Sequence, residues 1–363
     1  MSKDTFTWHA DQDDDYDGDI YGSTTLEGLP FTAFNKDIGK SFTMDGDDED
    51  TLTLAPTPGG YAVWGASVPS ELDVSEFNIN GGTLAIQSQG GTLNLGAIQA
   101  HKQLITLNIA GTFLARQTTF IGTSRGVSPW VTFKVFPRGR CSISEGVAFN
   151  GAFLIEVDDL GSMSVTACGF NLEHGQYFAS GIGNADNPSL ELIASPSLAQ
   201  PGSGYFEMTN QQIVCSSRSV SRLQAKAMSL TDSTMRAADT ASLLIACDTI
   251  DFAGRTQFTV GQGSAAITFS GSAKNAAPFD FFKNSYPKGL FNFITNEGTN
   301  KSTFRFLNIG SAYDFKKMQT DGIITTYDLR KITKYLSEPS GSDLQSHLDC
   351  VSGAPLMRDP SRR

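Results

Sequence analysis

The sequence predicts an all-β solenoid, a parallel β-helix with three short strands per coil, and three observations predict it. From about residue 50 to 310 the chain is written in short runs that alternate apolar and polar, separated by Gly, Ser, Asn and Pro. Period-two alternation is the strand signal, because successive side chains point to opposite faces. The runs also recur at a regular interval. Starting from Ile105, they open at Val131, Ile155, Leu190, Leu223, Leu243, Ile267 and Phe291, with steps of 26, 24, 35, 33, 20, 24 and 24 residues. A period in that range marks a repeat architecture. Within a unit the runs come in threes, as in Val131–Val135, Cys141–Ile143 and Val147–Asn150, and the last carries a Phe. One coil buries nothing by itself, whereas stacked coils enclose a continuous interior column. A β-sandwich is the alternative for such evenly spaced strands.

Three segments follow in chain order. Residues 1–50 hold fourteen acids and three lysines, and so carry the whole formal net charge of −11. This segment reads as an acidic arm or attachment segment, ordered by docking on a neighbour or by binding calcium. Residues 51–310 form the β-helix body. The two long steps in the period are read as inserted loops at 177–188 and 196–204, the second followed by an extra strand at Tyr205–Met208. Phe120, Phe149, Phe170 and Phe258 are expected to stack in one aromatic ladder. Residues 311–363 form a C-terminal cap. Leu329, Ile332, Tyr335 and Leu336 stand at helical spacing, Thr325 or Thr326 serves as N-cap, and Pro339 stops the helix. The text after Ser337 reads as a loose tail.

This coil pattern, over about residues 75–310, is similar to that of right-handed parallel β-helix proteins such as pectate lyases, bacteriophage tailspikes and β-helical adhesins. The resemblance is architectural and implies right-handed coiling. It also implies side-by-side association as a homotrimer, with Trp130, Phe279, Phe281 and Phe282 as contact points outside the ladder.

Composition excludes several classes. The chain has 363 residues, of which 18% are charged, with 25 Phe and 36 Gly. That composition supports a large core and excludes a disordered chain. Outside the first 50 residues acids and bases balance, which argues against nucleic acid as partner. No apolar run approaches the ~20 residues of a membrane span. Met1–Trp8 has no apolar stretch of a secretory signal, and the five cysteines form no CxxC. Free thiols fit folding in the cytoplasm, with a virion or extracellular destination.

Candidate chemistry is sparse. Asp13, Asp15 and Asp17, with Gly18 and Ile20, match the opening of a calcium loop, but Thr24 stands where the bidentate Glu belongs. A polysaccharide-cleaving site would need paired carboxylates. Asp158 with Asp159 and Asp248 with Asp251 are the candidates; Asp158 follows Val157 as Asp248 follows Cys247, which places both at one coil position. Asp at a strand end is also ordinary turn chemistry. No nucleophile elbow, phosphate loop or two-His metal pattern appears. The expected function is therefore a non-enzymatic structural or adhesive protein, a tailspike- or tail-fibre-like receptor-binding virion component facing a cell-surface glycan or a particle protein. The alternatives are a polysaccharide lyase or glycoside hydrolase on the same scaffold, and a leaderless secreted adhesin or toxin component.

Overall fold

The structure, a computed structural model, describes residues 3–66, 73–96, 103–125, 128–129, 131–184, 186–197, 202–271, 278–281, 284–294, 301–307, 312–326, 332–336 and 347–352. It is a parallel β-helix. The first sheet has 12 strands, from Asp14–Asp17 to Ile324–Thr326, and all its pairings are parallel. The second has 13 strands and starts at Thr24–Glu27. The third has 9, from Lys36–Asp37 to Thr249–Ala253. The chain visits the three sheets in turn, so each coil adds one parallel rung to each.

Alternation along every strand sends one set of side chains inward. In the first sheet the inward column reads Phe42, Phe77, Leu107, Phe133, Ile155, Tyr177, Ile213, Met235, Phe258 and Phe291, each paired in register with the next. All ten are buried. The steps Phe133 to Ile155 to Tyr177, and Ile213 to Met235, are 22 residues, which is the length of an undecorated coil. The sequence period had mixed two sheets: Val131 and Ile155 lie in the first, whereas Leu190, Leu223, Leu243 and Ile267 lie in the second. Gln176–Ala179 is therefore a regular strand of the first sheet, and the insertion is the shorter segment 180–189. Tyr205–Thr209 is likewise the regular third-sheet strand of its coil, and no extra strand is present there.

The aromatic ladder exists in the third sheet, as Phe120, Phe149, Phe170 and Phe206. The rings of Phe170 and Phe206 stack at 4.5 Å with an interplanar angle of 4°. Phe258 belongs to the first sheet and stacks on Phe291 at 5.7 Å. Two glycines interrupt the neighbouring inward column, Gly122, whose place the ring of Phe153 fills, and Gly151, which lies against the Gly122 backbone. A Cβ on Gly122 would lie 2.6 Å from that ring, and one on Gly151 would lie 2.1 Å from the Gly122 carbonyl oxygen. Phe170→Ala leaves a void between two rings in a column that cannot collapse sideways. We expect a loss of roughly 3–5 kcal/mol, measurable by denaturant unfolding.

The acidic segment is not an arm. It supplies the first strand of all three sheets, so the body begins at Asp14 instead of residue 51. Its acids alternate with buried residues: Asp13, Asp15 and Asp17 face out while Asp14 and Tyr16 face in. At the bottom rung Asp14 lies under Phe42 and Lys36 lies under Trp64. The two close the interior with an ion pair of 2.5 Å, Lys36 being 0% and Asp14 4% exposed at the side chain. Lys36 Nζ also donates to the His9 carbonyl at 2.6 Å and the Gln12 carbonyl at 3.1 Å. The second Asp14 oxygen meets His9 Nδ1 at 2.8 Å. Trp8 covers the pair, its ring centre 4.7 Å from Lys36 Nζ, and stacks on Phe42 at 5.1 Å. Burial pulls the Lys36 ammonium below its ordinary pKa and outweighs the upward pull of Asp14.

The C-terminal helix is Ala312–Thr320, not the stretch at 325–336. Ile324–Thr326 and Ile332–Leu336 are strands, while Leu329 and Pro339 fall outside the described residues. Ile332–Leu336 pairs antiparallel with His347–Ser352, which pairs antiparallel with Thr303–Leu307. The second sheet is thus continued by strands, which satisfy an open edge directly. Among the described residues the third sheet stops at Thr249–Ala253. Beyond it Phe279 and Phe281 plug the interior, 3% and 2% exposed, with Phe279 stacked on Phe252 at 5.9 Å. These two rings are core and not contact points between subunits; Trp130 and Phe282 lie outside the described residues.

Candidate functional site

The structure separates the candidate carboxylates. Asp158 and Asp159 begin the corner between the first and second sheets, where the Gly161 N–H donates to the Asp158 carbonyl at 2.9 Å and Leu160 takes φ 61°. Asp248 stands at a different corner, between the second and third sheets, and Asp251 faces outward on the third. The expected equivalence of Asp158 and Asp248 fails for the reason the period failed, since Val157 ends a first-sheet strand and Cys247 follows a second-sheet one. Asp13, Asp15 and Asp17 are not gathered either. They alternate along an extended run, about 6.8 Å per two residues, whereas a calcium loop must bring its oxygens to ~2.4 Å from one ion. Asp13 accepts from the Ser41 N–H at 2.8 Å and its hydroxyl at 3.1 Å, and the first of these bonds leads in holding its carboxyl below the usual value. Asp17 instead accepts from the Asp19 N–H at 2.8 Å and caps the short helix Gly18–Tyr21. Among the described residues no group of three or more His, Cys, Asp or Glu is placed to hold a metal ion.

Asp158 and Asp159 do line a cleft, together with Pro137, Ser180, Ile182, Ser217 and Arg218. Its volume is about 560 Å³. Four successive coils contribute, each through its corner between the first and second sheets. The inserted segment 180–189 forms one wall. Asn184 holds it in shape by accepting from the N–H groups of Asp186 and Asn187, both at 2.9 Å. Its base is tied down where Ser189 Oγ donates to the Gly181 carbonyl at 3.1 Å and the Gly183 N–H donates to the Arg218 carbonyl at 3.3 Å. The cleft offers a guanidinium, two carboxylates, two hydroxyls and one exposed apolar side chain, Ile182. Among the described residues neither aspartate forms an ion pair with Arg218. Such a set suits a polyhydroxylated ligand, which can both donate to carboxylates and accept from the guanidinium.

A second polar surface was not legible in the sequence. The outward column of the third sheet reads Asn150, Asn171, Glu207, Ser229 and Asp251. Beside Glu207 stands Tyr205, its ring laid over Gly169, where a Cβ would lie 2.4 Å from the ring. Glu207 and Asp251 are two rungs apart, about 9.6 Å at 4.8 Å per rung. The run Tyr205–Met208 was visible as a strand, but its neighbours depend on which runs stack. On the second sheet Glu191 is already engaged, by Ser164 Oγ at 3.1 Å and Arg222 Nη1 at 3.2 Å.

Three of the cysteines are sealed in the core. Cys141, Cys215 and Cys247 are buried and free. Burial pushes the thiols of Cys215 and Cys247 up to about 11 and about 12, and that of Cys141 higher, so none is a thiolate at neutral pH. The chain matches no protein-family model, no curated protein and no solved structure.

Proposed function

We propose that this chain is a non-enzymatic structural and adhesive β-helix, a tailspike- or tail-fibre-like receptor-binding component, whose corner cleft contacts a surface glycan. The cleft at Asp158, Asp159, Ser180, Ser217 and Arg218 carries this reading, because it gathers charged and hydroxyl groups suited to sugar hydroxyls on one wall. The rest of the rod is built as a scaffold, with its apolar columns filled along all three faces. Binding is tested by screening the full chain against bacterial surface polysaccharides and titrating any that bind. Arg218→Ala or Asp158→Asn should weaken the contact about tenfold, the scale of one charge-assisted hydrogen bond. Equal affinity of both variants and wild type would remove the cleft from the mechanism.

A second reading, hydrolysis, is favoured by one observation. Glu207 and Asp251 share an outward column at a backbone separation near the ~6.5–9.5 Å that separates the carboxyl groups of inverting glycosidases. In the same screen, new reducing ends that vanish in Glu207→Gln would replace adhesion by cleavage.

A further inference from the structure

The corner between the third and first sheets, at residues 174–177 and 209–211, holds three buried polar atoms without a protein partner: Tyr177 Oη, Gln211 Oε1 and His174 Nδ1. Buried polar groups are almost always hydrogen-bonded, so the two that converge here, Tyr177 Oη and Gln211 Oε1, point to a shared partner. Tyr177 stands in the inward column between Ile155 and Ile213 and is 0% exposed. A Phe there would fill the same space without a hydroxyl to satisfy. Gln211 is 2% exposed, and its Nε2 donates to the Thr209 carbonyl at 3.1 Å, which fixes the amide with Oε1 on the other side.

Gly175 locates the meeting point. A Cβ built on it would lie 2.4 Å from Gln211 Oε1 and 2.9 Å from the Tyr177 hydroxyl oxygen. The two oxygens are therefore at most about 5.3 Å apart, within the ~5.6 Å that one water can bridge with two ordinary hydrogen bonds. Gly175 is not in the left-handed region, so its lack of a side chain reflects this crowding and not backbone strain.

We propose that the corner binds one buried structural water over Gly175. The water accepts from the Tyr177 O–H and donates to Gln211 Oε1 and to the Phe153 carbonyl oxygen, which lies 3.0 Å from the same Cβ position. Three bonds are the usual complement of a buried water. The site pins the start of strand Gln176–Ala179, which leads directly into the inserted wall of the cleft.

A crystal structure of the full chain near 1.5 Å resolution tests this. The expected result is a single density peak 2.6–3.2 Å from Tyr177 Oη and Gln211 Oε1. Direct bonding of these two atoms with no peak overturns the proposal. Thermal melting gives a second readout. Tyr177→Phe should lower the melting temperature by about 1–3 °C, since it strips the water of its donor. A melting temperature equal to or above that of wild type would mean that the hydroxyl had no partner to lose, and would also overturn it.

Discussion

Deleting residues 1–50 is expected to abolish the cooperative thermal transition and leave a chain that sediments as aggregate. The segment supplies Asp14–Asp17, Thr24–Glu27, Lys36–Asp37 and Phe42–Asp45 to the sheets. It also seats Phe6, Trp8, Tyr16, Phe31, Phe34, Phe42 and Met44 in the core. Each large apolar side chain contributes roughly 1.5–3 kcal/mol by burial, against a total stability of about 5–15 kcal/mol for a domain. Truncation would expose Trp64, Phe77, Leu52 and Leu54 at the open end of the solenoid, and terminal coils are what keep such folds soluble. Circular dichroism melting and analytical sedimentation check the outcome. A truncated chain that melts like the parent would show that the first coils only decorate a body complete without them.

Asp14→Ala should be the most damaging single substitution at this end, at roughly 3–5 kcal/mol, because it leaves the Lys36 ammonium buried without a counter-charge. The double replacement Asp14→Leu with Lys36→Met should fall within about 1–2 kcal/mol of wild type, since both desolvation penalties vanish together. Denaturant unfolding of the two variants measures this contrast. The pair also fixes the sign of a pH effect. Lys36 has a folded pKa below its ordinary value of 10.5. Below the lowered value both states hold the proton and the burial penalty is complete. Between that value and 10.5 the unfolded state binds more protons, so the Lys36 contribution to stability rises with pH. The melting temperature of wild type relative to Lys36→Met should therefore increase from pH 7 toward pH 10. A difference that stays flat or falls would mean that Asp14 outweighs burial.

The solenoid itself was legible because a β-helix repeats local information. Alternation such as Leu104–Ile109 is written in adjacent residues, and unshared inward positions like Ile105, Leu107 and Ile109 need no partner to be recognised. Within the stretch from Leu104 to Ser270 the sequence alone therefore determined which runs are strands and the presence of stacked coils. It did not determine which run belongs to which face. Runs of all three sheets obey the same alternation, so a count can pass from Ile155 in the first sheet to Leu190 in the second without any local signal. Everything that depends on stacking inherited that slip: the place of Phe258, the supposed equivalence of Asp158 and Asp248, and the neighbours of Glu207.

Charge misled for a related reason. Asp13-Asp14-Asp15 looks uniformly solvated, yet strand geometry turns only alternate side chains outward, and the inward Asp14 survives because Lys36, 22 residues later, comes to meet it. At the other end Ile332–Leu336 fits a helix by spacing, but the edge of Thr303–Leu307 and the strand His347–Ser352 supply backbone partners that make it a strand. Nor is the cleft written in any contiguous motif, for Pro137, Asp158, Ser180 and Arg218 become neighbours only when four coils stack. Local alternation decides which side chains a strand can bury; the register between coils, set by long-range hydrogen bonding, decides which residues meet.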